Sequence, residues 1–282
     1  MSIVVTGATG HLGRLVVRSL LERGVAPEEV LATGRAVDRI ADLADRGVRT
    51  AAFDFADPPA GLLEAGDILL LVSTDVPGNR VELHGAVVDA AAEAGVARIV
   101  YTSAPRADDT PLALAVDHAA TERVIRASGL PFTFLRNNWY IENYAGTVAQ
   151  ARATGVVLGS AGAGRVASAP RSDYAAATAV ALSTDGHENA VYELSGDQAW
   201  DFPEFAAALG GVLGRDVRYR SVSPEEHRAA LLGAGLDAGT ADFVVGLDAA
   251  IAAGALDLVR PDLSRLTGRP TTPLADQLRL LG

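Results

Sequence analysis

Three glycines spaced three residues apart, Gly7, Gly10 and Gly13 in S-I-V-V-T-G-A-T-G-H-L-G, are the clearest chemistry-bearing pattern in the chain. They follow an apolar run, Ile3-Val4-Val5, and lead into Leu12, Leu15, Val16 and Leu20, which recur with helical period. Strand, tight turn and helix in that order make a phosphate site. Gly7 lets the chain turn off the strand end. Gly10 leaves room for a pyrophosphate against the backbone, and Gly13 lets the helix pack close to the strand. The helix N-terminus adds unpaired N–H groups and a positive dipole end.

Arg35 stands 22 positions after Gly13, near the place where an acidic residue takes the ribose 2′-hydroxyl of NAD. A guanidinium there suits a 2′-phosphate, so the expected cofactor is NADP(H). The alternative is an ordinary surface arginine opening a helix over Asp38–Asp45. Asp54 and Phe55 end a third apolar run. Asp54 would accept from an adenine amino group, or cap the turn before Pro58-Pro59; Phe55 would line the base. Ser73-Thr74 and Thr102-Ser103 end two further runs at the expected carboxyl edge of a sheet, where ligands bind. Asn137-Asn138-Trp139-Tyr140-Ile141-Glu142-Asn143-Tyr144 is the densest cluster of amides and aromatics. Its amides could hold a nicotinamide carboxamide or a substrate carbonyl, and its rings a planar substrate. The bland alternative is that Trp139 and Tyr140 only pack a seam.

Other chemistries are excluded by composition. The 282 residues contain no cysteine, so thiol nucleophiles, disulfides and Cys-ligated metals are absent. They contain no lysine either: all 24 basic residues are arginine. A Walker P-loop lysine, a Schiff base and the Tyr-x-x-x-Lys pair of ordinary short-chain dehydrogenases are all impossible. The five histidines, His11, His84, His118, His187 and His227, form no metal motif, so no metal is expected. No G-x-S-x-G elbow exists. A net charge of −11 without a basic stretch argues against nucleic acid. The first strand starts directly after Met1, with no apolar leader and no 18-residue apolar span, so a cytoplasmic protein without a membrane anchor is expected.

The elements that must position these residues alternate. Strands are expected at 3–5, 29–33, 48–53, 68–72, 96–102 and 131–135, with helices after the first strand and at 38–45, 81–94 and 111–128. That rhythm predicts an α/β fold: a doubly wound, Rossmann-type parallel sheet. Beyond residue 136 the rhythm changes to helices at 141–153, 174–182, 202–213, 224–233, 240–253 and 273–281. Short strands are expected at 155–159, 165–169, 190–194 and 217–222. The expected division is a cofactor domain over 1–136, with the 190–195 strand returning to its sheet, and a smaller C-terminal α+β substrate region over 137–282. Gly159–Gly164 reads as a hairpin turn, and Ser172-Asp173 as an N-cap.

Taken in order, T-G-A-T-G-H-L-G, L-L-L-V-S, Y-T-S, D-H-A-A-T-E, L-R-N-N-W-Y-I-E-N-Y, A-S-A-P-R-S-D-Y-A-A-A and V-Y-E-L-S-G-D resemble the NmrA-like atypical short-chain dehydrogenase/reductase family over nearly the whole chain. Within it they are most like the bacterial NADPH:quinone oxidoreductases and triphenylmethane reductases. The resemblance implies NADP(H) held by Gly7, Thr9, Gly10, His11, Leu12, Gly13, Arg35, Asp54, Phe55, Ser73 and Thr74, with Thr102 and Ser103 at the next strand end. Many relatives carry a lysine where this chain has His118; the imidazole is expected to donate near nicotinamide or substrate. The expected catalytic residues are His118, Asn137 and Tyr144, and the substrate residues Asn138, Trp139 and Tyr140. The expected activity is flavin-independent hydride transfer to a quinone-like planar acceptor, with a homo-oligomer allowed. The competing readings are a non-catalytic NADP(H) sensor acting on a protein partner, or a reductase of another carbonyl, imine or dye.

Overall fold

The computed structural model describes residues 1–74 and 78–281. Its centre is a seven-stranded parallel sheet. In chain order the first half runs β1 (Ile3–Val5), α1 (His11–Glu22), β2 (Val30–Gly34), α2 (Ala41–Ala44), β3 (Arg49–Ala52), β4 (Ile68–Leu71), α3 (Arg80–Ala94), β5 (Arg98–Ser103), α4 (Ala115–Ala127) and β6 (Phe132–Asn137). The second half runs α5 (Ala145–Thr154), β7 (Val156–Gly159), β8 (Arg165–Val166), α6 (Arg171–Ser183), β9 (Ala190–Leu194), β10 (Trp200–Asp201), α7 (Phe202–Leu213), β11 (Arg218–Ser221), α8 (Pro224–Gly233), α9 (Ala238–Ala252), α10 (Asp262–Thr267) and α11 (Leu274–Arg279).

Spatial order in the sheet is β3-β2-β1-β4-β5-β6-β9. The direction of winding reverses between β1 and β4, which pair through Val4↔Leu69. A reversal of this kind opens a crevice at the carboxyl ends of the strands. Successive strand residues face opposite sides, as the pleat requires. Ile3, Val5, Leu70, Val100 and Leu135 join α1 and α6 in one buried layer. Val4, Leu69, Leu71, Ile99 and Phe134 join α3 and α4 in the other. Such near-continuous apolar strands belong in a sheet covered on both faces. The 190–194 segment returns as expected, pairing parallel to β6 from Thr133↔Ala190 to Asn137↔Leu194.

Several boundaries move. Asn137 completes β6. The helix expected over 111–128 starts at Ala115, after a turn in which Leu112 N–H donates to Thr110 Oγ1 at 3.3 Å. The helix expected over 38–45 divides into a 3-10 turn, Val37–Ile40, and α2.

A third buried cluster holds the C-terminal part together, with Trp200, Phe202, Phe205, Leu209 and Ile251 at its heart. Two expectations fail here. Gly159–Gly164 is not a hairpin turn: β7 pairs parallel with β11, and β8 antiparallel with β10. The loop is claimed by α9 instead, because Asp248 Oδ2 accepts from Ser160 N–H at 2.6 Å and from Ser160 Oγ at 3.1 Å. Nor does Asp173 cap α6. The N-cap is Pro170, and Asp173 is buried within the first turn, accepting from Arg269 Nη2 at 2.7 Å and from Thr272 N–H at 2.8 Å, and so fastens the segment after α10. α10 itself went unforeseen; its Leu263 is buried in the α1–α6 layer. No helix among the described residues is long and apolar enough to cross a membrane.

Candidate active site

A cleft of about 590 Å³ runs along the carboxyl edge of the sheet, over the β1/β4 reversal. Its floor at one end is the glycine turn. Gly7 takes φ +62°, a left-handed conformation that a side chain strains. A Cβ on Gly13 would stand 2.4 Å from Gly7 O, so only glycine lets α1 begin against the turn. Gly10 caps α1 without a side-chain hydrogen bond, and no acidic residue occupies the first helical turn. The N–H groups and the dipole of this 12-residue helix are therefore left for an anion. Thr9, His11 and Leu12 line the same end.

Arg35 and Arg39 also line it, both exposed, and neither guanidinium pairs with a carboxylate among the described residues. Arg39 escaped the sequence reading, because it falls inside a segment expected to be an ordinary helix and only the 3-10 turn Val37–Ile40 brings it to the cleft beside Arg35. Asp54 lines the cleft while its Oδ1 accepts from Ala56 N–H at 3.0 Å, so the turn-capping alternative is realised. Phe55 lines the cleft and meets His84 edge-on.

Further along, β4 and β5 deliver Ser73, Thr74, Thr102 and Ser103. Thr102 Oγ1 accepts from Ser73 N–H at 2.9 Å, locking the two strand ends together. The Ser103 hydroxyl donates to Glu122 Oε1 at 2.7 Å and is thereby turned into the protein. Glu122 also holds buried Arg136, through Nε at 2.9 Å and Nη2 at 2.7 Å, beneath the cleft wall.

Two buried histidines stand behind this wall. His84 Nε2 accepts from Thr74 N–H at 3.1 Å. Its Nδ1 lies 3.0 Å from Thr121 Oγ1, whose own proton goes to Asp117 O, so Nδ1–H is the donor. His84 is thus neutral by geometry, and burial, with Arg80 nearby, pushes its pKa down to about 3. His118 lines the cleft, with Nδ1 hydrogen-bonded to Tyr101 Oη at 2.8 Å. Burial, then the charge of Arg80, then His84, lower its pKa to about 3, so His118 is also a neutral imidazole.

The Asn137–Tyr144 cluster divides. Asn137, Asn138, Trp139, Tyr140 and Asn143 line the cleft. Asn137 Nδ2 donates to Tyr140 Oη at 3.0 Å while its buried Oδ1 has no partner. Arg171 lies over the Tyr140 ring at 4.7 Å. Asn138 is on this lining, and its amide also braces the wall: Nδ2 donates to Leu256 O at 3.3 Å and Leu258 O at 3.4 Å, and Oδ1 accepts from Trp139 N–H at 2.7 Å. Tyr144 is corrected from a catalytic residue to core. It does not line the cleft but packs among Trp200, Phe202 and Phe205, its buried hydroxyl unpartnered. Burial holds its phenol well above the usual range. Leu112, Leu114, Arg80 and Arg171, which carried no sequence signal, also line the cleft. No group of three or more potential metal ligands exists among the described residues.

A family model described as NAD(P)H-binding matches residues 7–185. Quinone oxidoreductase 2 of Escherichia coli (strain K12) is 41% identical, over 98% of this chain and 97% of that protein. The structure of an Escherichia coli NADPH-dependent quinone oxidoreductase complexed with NADPH superposes with a TM-score of 0.94 at 41% identity, covering 99% of each chain. The Citrobacter sp. triphenylmethane reductase complexed with NADP(H) superposes with a TM-score of 0.94 at 35% identity, covering 100% of both. The family match begins at the glycine that turns the chain off β1 and runs past the end of α6, and the chain belongs to the NAD(P)H-binding family.

Proposed function

We propose that this protein is an NADPH-dependent reductase passing hydride directly to quinones or similar planar, electron-poor acceptors. The observation that carries the reading is the polarity of the cleft: an uncapped helix N-terminus and arginines without a carboxylate among the described residues at one end, neutral donors and flat rings at the other. The residues present fit a dinucleotide with a 2′-phosphate. The close approach at Gly7–Gly13 leaves room for a pyrophosphate, and Arg35 with Arg39 offers charge for the extra phosphate. Asp54 and Phe55 border the adenine end, and Ser73, Thr74 and Thr102 the middle. When bound, NADPH supplies the hydride.

The chain's own residues orient and stabilise. His118 and Asn137 lie where a nicotinamide amide or an acceptor carbonyl would be held, and Trp139 and Tyr140 offer aromatic walls for a flat acceptor. A quinone is already electrophilic, so the missing Tyr–Lys pair costs little; a neutral donor beside the oxygen on which charge develops is enough. The final proton comes from solvent. The likeness to quinone oxidoreductase 2 supports this acceptor class, and that to triphenylmethane reductase supports flatness as what the cleft selects. We place the protein in the cytoplasm.

The test is NADPH consumption by purified, flavin-free protein with 1,4-benzoquinone as acceptor. Turnover well above the uncatalysed rate is expected. Protein that binds NADPH yet shows no turnover would overturn the enzyme reading in favour of a dinucleotide sensor.

A further inference from the structure

Tyr101 sits in the middle of β5's buried run and is fully buried, yet its hydroxyl is not idle: it meets His118 Nδ1 at 2.8 Å. We propose that Tyr101 is a positioning residue whose O–H donates to His118 Nδ1, fixing the neutral Nε2–H tautomer and turning that N–H into a standing hydrogen-bond donor for the acceptor oxygen in the cleft. The inference rests on the role proposed above for His118 and extends it to a residue outside the cleft lining.

The tautomer follows from where each proton can go. A neutral imidazole carries one proton, and the ring nitrogen that accepts is the one without it. Complete burial keeps the phenol protonated, since desolvation raises it far above its ordinary value. Its single proton needs an acceptor, and His118 Nδ1 is within good hydrogen-bond distance. The Thr121 and Ser73 hydroxyls also approach the phenol. Neither donates to it, since Thr121 Oγ1 gives its proton to Asp117 O at 2.9 Å and Ser73 Oγ to Thr74 O at 3.4 Å; as hydroxyl oxygens both are weaker acceptors than a bare imidazole nitrogen, so the phenol proton goes to His118 Nδ1. Thr121 Oγ1 already accepts from His84 Nδ1 as well. The Tyr101 ring is held on both sides, edge-on to His84 and to Phe134, so the hydroxyl is aimed by packing. His118 Nε2 has no hydrogen bond among the described residues and is the free edge of a ring that lines the cleft.

A neutral N–H donor suits this chemistry better than a charged one. It stabilises the oxygen on which negative charge develops without first having to lose a proton, and it stays correctly protonated across the physiological range. The hydrogen bond strengthens in the transition state; no proton need leave His118.

Two measurements test this. Long-range ¹H–¹⁵N spectra of the wild-type protein, with His118 assigned by difference from His118→Gln, should show Nε2 protonated and Nδ1 bare. Tyr101→Phe, which keeps the ring and its packing, should convert His118 to a mixture of tautomers. It should also lower kcat/KM for 1,4-benzoquinone by about tenfold, the size of one hydrogen bond, with the Kd for NADPH unchanged. Adding Tyr101→Phe to His118→Ala should have no further effect. An Nδ1-protonated His118 in the wild type, or a Tyr101→Phe enzyme with unchanged tautomer and unchanged kcat/KM, would overturn the proposal. Full quinone turnover by His118→Ala with an Nε2–H wild-type spectrum would instead remove the catalytic role of His118 and leave the tautomer assignment standing.

Discussion

Arg35 and Arg39 are two cations at a cleft end with no carboxylate to meet them among the described residues, and a pair of that kind is what a phosphate monoester completes. A charge-assisted hydrogen bond is worth about 1.5–3 kcal/mol, or about 10- to 150-fold in affinity. Arg35→Ala should therefore raise the Kd for NADPH by about tenfold or more while changing that for NADH less than about threefold. Titration calorimetry with both dinucleotides reads the difference, and equal losses would detach Arg35 from the 2′-phosphate. His118 makes a second residue-scale prediction. Held neutral down to about pH 3 by burial, Arg80 and His84, it should leave no ionisation in the pH dependence of kcat/KM between about 5 and 8. A limb near the ordinary histidine pKa of about 6.5 would show that the imidazole titrates in use.

At the scale of elements, α1 depends on one missing methyl group. Gly13→Ala would drive a Cβ into Gly7 O and the Ala8 backbone, with no flexible side chain to yield. The variant should lose about 2–4 kcal/mol by overpacking and also lose NADPH affinity, because the helix end moves off the turn. Chemical denaturation and dinucleotide binding measure the two losses. Tyr144→Phe is predicted to run the other way. It removes a buried hydroxyl without a partner from an aromatic cluster, so stability should hold or rise by about 1 kcal/mol with kcat unchanged.

Tyr144 also shows where sequence reading stops. The parallel sheet was legible because each strand is a nearly unbroken apolar run, and the glycine turn because its strand and helix flank it. The strand-end residues Ser73, Thr74 and Asn137 were legible from the rule that ligands gather at that edge. What each side chain is left free to do was not: Asn137 and Asn138 are adjacent, alike and both on the cleft lining, yet Asn138 spends its amide on the backbone of Leu256 and Leu258 while Asn137 keeps a buried Oδ1 without a partner. Likewise the spacing of Gly159 and Gly164 looks like a turn between partners, and only the distant Asp248 decides that the flanking strands pair elsewhere. Long-range polar anchors of this kind leave no local periodicity to detect.

At the scale of the whole molecule, the two lobes we infer, 1–136 and 137–282, are stitched by polar contacts across their seam. Arg136 Nη1 reaches Glu193 Oε1 at 3.0 Å, and Arg106 Nη2 reaches Asp257 Oδ1 at 3.4 Å. Burying two neutral histidines in one lobe has a global consequence. His84 and His118 have folded pKa values of about 3, far below the unfolded value of about 6.5. Above about pH 6.5 neither state binds the protons and stability is unaffected. Below it the unfolded chain takes up protons that the folded one refuses, so stability falls as pH drops from about 6.5 towards 3. Each histidine contributes up to about 1.4 kcal/mol per pH unit within that window. Urea midpoints at pH 7.5, 6 and 5 should decline in that order, and His84→Gln should flatten the decline. A midpoint that does not move between pH 7.5 and 5 would contradict the neutral assignment of both rings.

The claim on which the rest depends is direct passage of hydride within this cleft. Single-turnover stopped-flow of the flavin-free protein, preloaded with NADPH and mixed with 1,4-benzoquinone, tests it most directly when repeated with NADPH deuterated at the transferring position. Bound NADPH is predicted to be oxidised far faster than in buffer, and more slowly with deuterium than with hydrogen. Oxidation of bound NADPH no faster than that of free NADPH would contradict the account.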